Sequence, residues 1–186
     1  RERSVVALFE AFIRPDSFET ERRSLDHLRA YPRDRLVVLY MHFLYNIMLP
    51  TKNRRDRHRA LALEHAADWG DDWFLLGEQA FIATEAGEHA ESRTLAERAL
   101  TARPENAPAA HAMAHALLET GAASEGRDWL GNWLEDWGGA STSRCHLTWH
   151  LALLELADDD SVAAARRLDA ILDEAAKFAT EVLDPL

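Results

Sequence analysis

The chain has 186 residues, 47% of them apolar, with a formal net charge of −11 and a single cysteine. That length can bury a core as one domain or as a short repeat array. Lone Cys145 excludes an internal disulfide framework and cysteine-based zinc knuckles, and it fits a reducing, cytoplasmic setting.

No apolar run reaches the roughly 18 residues of a membrane span, because LVVLYMHFLYNIML is interrupted by His42 and Asn46. The first residues, RERSVV, form neither a signal peptide nor an initiator start, so the chain is expected to begin within a longer protein. Charge is spread unevenly. Residues 1–60 hold 13 basic against 8 acidic side chains, and residues 61–186 hold 8 against 24. The acidic remainder argues against nucleic acid as a partner. The basic stretch KNRRDRHR (52–59) is the one candidate phosphate patch, and it reads as a solvated loop and helix start.

Strand signals are nearly absent, and helical spacing runs between Gly and Pro punctuation. The expected helices are 2–13, 17–30, 34–48, 54–68, 72–86, 88–102, 106–120, 123–136, 143–156 and 159–176. Pro15 breaks the first pair, and Asp16 with Glu19 is shaped like a capping box. Pro32 precedes Asp34, a candidate N-cap. Gly70 ends one helix, and Asp71 or Asp72 caps the next. Pro104 follows a helix end, and Asn106 caps the helix containing HAMAHALLETG. Trp129, Trp133 and Trp137 recur at i, i+4 and i+8, as core of their helix. Asp158, Asp159 and Asp160 read as N-terminal charge and capping, since the spacing of a calcium loop is missing.

Gly87 and Gly121 lie 34 residues apart, each between the two helices of a pair, and 34 is the tetratricopeptide period. His146 and His150 follow His111 and His115 at an offset of 35. The fold class expected is all-α: a right-handed solenoid of about five antiparallel helix hairpins in a single tetratricopeptide-like domain over 1–186. A closed four-helix bundle would not require the repeat, and a coiled coil would need heptads that are missing.

Four stretches, YPRDRLVVLYMHFLY (31–45), GEQAFIATEAG (77–87), HAMAHALLETGAASEG (111–126) and HLTWHLALLEL (146–156), resemble the tetratricopeptide repeat protein 38 family in order and spacing. Pro32 and Asp34; Gly77, Ala80, Phe81, Glu85 and Gly87; His111, Ala112, Ala114, His115, Glu119 and Gly121; and Trp149 to Leu153 meet its motifs. Thr148 stands where that pattern has a second tryptophan, and members of the family are longer than this chain. The resemblance brings a fold but no reaction. In arrays of this type, positions 5 and 9 of each repeat line a concave groove. By that implication the groove would present His42 and Asn46, Gly77 and Phe81, His111 and His115, and His146 and His150.

Residues four apart on a helix share a face, so His111, His115 and Glu119 form one stripe and His146 and His150 another. Such imidazoles can be packed polar residues. They can also line a binding groove for a small ligand or a protein or peptide segment, with His42, Asn46, Phe81, Glu119 and Trp149 contributing. They can also do acid/base or electrostatic work near neutral pH, and a further functional reading is a metal-dependent enzyme. There His111, His115, His146 and His150 would hold a divalent transition metal such as zinc, iron, nickel or copper, with Glu119 as base. The motif is not HExxH. No phosphate-cradling glycine loop, nucleophile elbow or dinucleotide fingerprint occurs. Cys145 lies beside His146 in sequence, but adjacent helical residues point about 100° apart, which argues against a thiolate–imidazole pair.

Overall fold

Helical spacing without strand signals folds into ten α-helices in the computed structural model, which describes residues 1–14, 16–138 and 141–183, with no strand among them. They are α1 (Glu2–Ile13), α2 (Ser17–Ala30), α3 (Arg35–Phe43), α4 (Arg54–Trp69), α5 (Trp73–Glu85), α6 (His89–Ala102), α7 (Ala107–Glu119), α8 (Ala123–Asp136), α9 (Ser141–Ala157) and α10 (Ser161–Leu183). Pro15, the expected break after the first helix, lies outside the described residues. The all-α class stands, and none of these helices is long and apolar enough to cross a membrane. Two elements depart from the sequence expectation: α10, expected over 159–176, runs to Leu183, and the third expected helix is cut short. The helix expected over 34–48 ends as α-helix at Phe43, and Leu44–Met48 is a π-helical turn closed by Leu49 N–H donating to Leu44 O at 2.8 Å.

Most cap signals do what their chemistry dictates. Asp16 accepts from Glu19 N–H at 3.0 Å, Asp72 from Phe74 N–H at 3.0 Å, Asn106 from Ala109 N–H at 3.2 Å and Asp160 from Ala163 N–H at 2.9 Å. Asp34 occupies its N-cap position, but its carboxylate turns elsewhere, to Arg1 Nε at 2.7 Å and His27 Nε2 at 3.0 Å. The turn after α5 recurs after α7. Gly87 (φ 78°) and Gly121 (φ 76°) are left-handed, and the next residue's N–H reaches back five residues, Glu88 to Ala83 O and Ala122 to Leu117 O, both at 2.9 Å. This is the 6→1 closure that glycine permits without a Cβ penalty. After α9 the same closure joins Asp160 N–H to Glu155 O at 2.9 Å, with Asp159 (φ 62°) in the glycine's place.

The chain divides into two compact units, residues 1–109 and 110–186. In the first, α2 packs on α1 and α3, α5 packs on α4 and α6, and α3 also meets α5. Its core gathers Leu8, Leu28, Val37, Met41, Leu44, Leu61, Trp69 and Leu75. Trp69 Nε1–H donates to Pro32 O at 3.0 Å, tying the end of α4 to the turn before α3. Buried Glu21 accepts from Tyr45 Oη at 2.9 Å and from Arg57 Nε at 2.8 Å.

In the second unit, α9 packs on α8 and α10. Leu117, Leu130, Leu147, Leu151 and Leu154 are at most 2% exposed. Gly126 lets α8 lie close against both neighbours. A Cβ there would stand 2.6 Å from Leu154 Cδ2 on α9 and 3.1 Å from Leu117 Cβ on α7. The tryptophan stripe departs from expectation. The buried positions of α8 are Ala123, Gly126, Leu130 and Leu134, while Trp129, Trp133 and Trp137 are half-buried. Trp133 and Trp137 stack at 4.9 Å.

Candidate metal centre

Two apolar helices with histidine at four-residue spacing, α7 and α9, bring four imidazoles together. His111 Nε2 lies 2.8 Å from His150 Nε2, 3.0 Å from His146 Nε2 and 3.2 Å from His115 Nε2. His150 and His146 Nε2 are 3.1 Å apart. Ligand atoms of His111, His115 and His150 all lie within 4.8 Å of one another. The rings meet edge-on or tilted, with centroids 4.4–4.7 Å apart. The alanines at 109, 110, 112, 114 and 116 of α7 are each at most 1% exposed.

Protons alone cannot satisfy this arrangement. Each Nε2 carries either a hydrogen or a lone pair. Around the triangle His111–His146–His150, two alternatives cannot alternate over three atoms. At least one pair therefore sets lone pair against lone pair, or hydrogen against hydrogen, whatever tautomers are chosen. His111 faces three such neighbours with one hydrogen at most. A cation at the centre resolves every pair at once, because all the lone pairs then point the same way. Nitrogens about 2.0–2.1 Å from a tetrahedral zinc lie about 3.3–3.4 Å apart, so the cluster would open by about 0.1–0.6 Å from the observed 2.8–3.2 Å to take the ion.

Electrostatics favour the ligating form. Burial, followed by the neighbouring His115 and His146, pushes His150 down to about 3, and burial also lowers His146. Both are neutral near pH 7, as metal ligands must be. His150 is 2% exposed and His111 and His115 are half-buried, whereas His146 and Trp149 are exposed. The Trp149 ring lies 4.7 Å from that of His150 and 5.8 Å from that of His146. His150 Nδ1 is buried without a hydrogen-bond partner among the described residues, so ring contacts rather than a second hydrogen bond orient this imidazole. Glu119 is exposed and stands outside the group of mutually close ligand atoms.

The remaining expected site residues lie in the first unit. His42 Nδ1 is 2.8 Å from Glu78 Oε2, and its ring is 4.6 Å from Phe81 and 5.5 Å from His58. Asn46 turns inward on its own element, donating to His42 O at 2.9 Å. Gly77 is buried against the Asn106 amide, where a Cβ would come within 2.9 Å.

Sequence reasoning passed over Glu78 and His58. Glu78 had a signal, being the one charged residue in the apolar run FLLGEQAFI, and it is 2% exposed. His58 was hidden in a basic run read as solvated, yet it is 5% exposed, stacks on Tyr45 at 5.0 Å and is lowered to about 3, chiefly by burial. Three of that run's five cations are also paired. Arg55, Arg57 and Arg59 pair with Glu85, Glu21 and Glu88, which leaves no phosphate patch among those three side chains. Comparison with models of protein families, with curated proteins and with solved structures finds no match to this chain.

Proposed function

We propose that this protein is a metal-binding helical-repeat protein, in which His111, His115, His146 and His150 hold one divalent transition-metal ion. The observation that carries this reading is the Nε2 triangle of 2.8, 3.0 and 3.1 Å, which no assignment of protons satisfies. Neutral imidazole suits zinc, copper, nickel and iron. With His150 buried and His146 exposed, the ion would sit at the base of an open site. The reading includes the tetratricopeptide-like scaffold: a right-handed solenoid of helix hairpins of the tetratricopeptide repeat protein 38 type, in the cytoplasm. The paired left-handed glycine turns 34 residues apart support it, as does the meeting of α3 with α5.

In the enzymatic form of the reading the ion would supply Lewis acidity, and Glu119, one turn beyond His115, would act as the base. In the non-enzymatic form the same cluster is a docking point for a small ligand or a partner segment.

The test is metal titration of tag-free protein by calorimetry, with elemental analysis of the purified chain. One ion per chain is expected, with affinity reduced at least tenfold in the exposed-site variant His146→Ala and abolished in His111→Ala. Circular dichroism establishes that both variants fold. Protein that takes up no ion, and melts identically with and without added zinc and chelator, refutes the proposal.

A further inference from the structure

This inference rests on the metal reading and names what the bound ion would take. We propose that the centre binds the carboxylate of a small aromatic acid, coordinated to the ion and stacked on Trp149.

Among the described residues the close ligand atoms are imidazole nitrogens, neutral when ligating, so they would leave a divalent ion its positive charge in a partly buried site. Glu119 is not one of those ligand atoms, so among the described residues the coordination shell itself would hold no negative charge, and an anionic ligand from solution would supply it. Coordination number leaves room for one, because four imidazoles fill a tetrahedron but leave positions on copper, nickel or cobalt, which accept five or six ligands.

Access and shape then choose the anion. Beside His146 the rim of the cluster is an indole, 42% exposed, with its ring centroid 4.7 Å from that of His150 and 5.8 Å from that of His146. A large apolar ring left open next to a cation favours a flat apolar body attached to the anionic head, at the 4.5–7 Å centroid spacing that aromatic pairs prefer.

The experiment loads the full chain with Co2+ and follows its visible d–d bands while acetate or benzoate is added. Both acids are expected to shift the bands, benzoate with a Kd about five- to tenfold lower. Trp149→Ala is expected to bring the two to parity, with cobalt uptake measured alongside. Bands that neither acid moves, in protein carrying one cobalt per chain, overturn the inference and leave the metal reading standing. A benzoate preference that survives in Trp149→Ala overturns the stacking role. A chain that takes up no cobalt overturns the metal reading, and this inference with it.

Discussion

Replacing Gly126 with alanine sets two effects of opposite sign against each other. In a helix interior the change alone stabilises by up to about 1 kcal/mol. Here the new Cβ would stand 2.6 Å from Leu154 Cδ2, 3.3 Å from Leu154 Cδ1 and 3.1 Å from Leu117 Cβ. The Leu154 side chain can rotate, but the residue is fully buried, so rotation must displace or repack its neighbours. Leu117 Cβ is fixed to the α7 backbone and can yield only if the helix moves. Overpacking of this kind costs about 1–3 kcal/mol. Taking the middle of that range and subtracting the helix gain leaves a net loss of about 1 kcal/mol. The movement also matters for the site, because α7 carries His111 and His115.

Urea unfolding of both proteins without metal, followed by circular dichroism, is the assay. A lower midpoint with unchanged slope is expected, together with weaker zinc binding. A gain of about 0.5–1 kcal/mol, the value of helix propensity alone, would mean that α7, α8 and α9 do not pack as described.

Four further outcomes are expected. His58 is buried and its folded value lies near 3, below the roughly 6.5 of the unfolded chain. Only the unfolded state gains its proton as pH falls through that window, so stability is full above about pH 6.5 and declines below it. The loss should approach about 2 kcal/mol by pH 5, and unfolding curves of His58→Phe, which keeps a ring against Tyr45, should lack this component. Asp159→Gly places glycine at φ 62° and should stabilise the chain by about 1 kcal/mol, read as a raised urea midpoint. Arg57→Ala strips Glu21, 3% exposed, of its cation; a loss of about 2–3 kcal/mol is expected, whereas Glu21→Gln with Arg57→Ala should lose less than the two changes summed. Asp72→Ala removes the α5 cap and the partner of Arg33 and Arg35, and a thermal melt should register about 1–2 kcal/mol.

The helices were largely legible in the sequence because their punctuation is local. Asp16, Asp72, Asn106, Gly87 and Gly121 act within a turn of their own position, and spacing alone exposes them. What escaped depends on neighbours distant in sequence. Asp34 looks like a cap, but His27 and Arg1 claim its carboxylate. His58 looks like part of a solvated charge run, but α4 turns it onto Tyr45 while its arginine neighbours find partners elsewhere. The tryptophans of α8 look like core because they are large, yet Gly126, Leu130 and Leu134 form the face that packs. The four histidines were legible because a 35-residue offset does across two helices what the four-residue step does along one. The closeness of their Nε2 atoms was not legible, since it depends on how nearly α7 and α9 approach each other, which spacing along the chain does not fix.

X-ray absorption at the zinc edge, on protein loaded with one equivalent and freed of excess, tests the central claim most directly. The account predicts a first shell of nitrogen at about 2.0–2.1 Å with the outer-shell pattern of three or four imidazoles, reduced by one imidazole in His146→Ala. A shell of oxygen alone, or zinc that washes away during removal of excess, would contradict it.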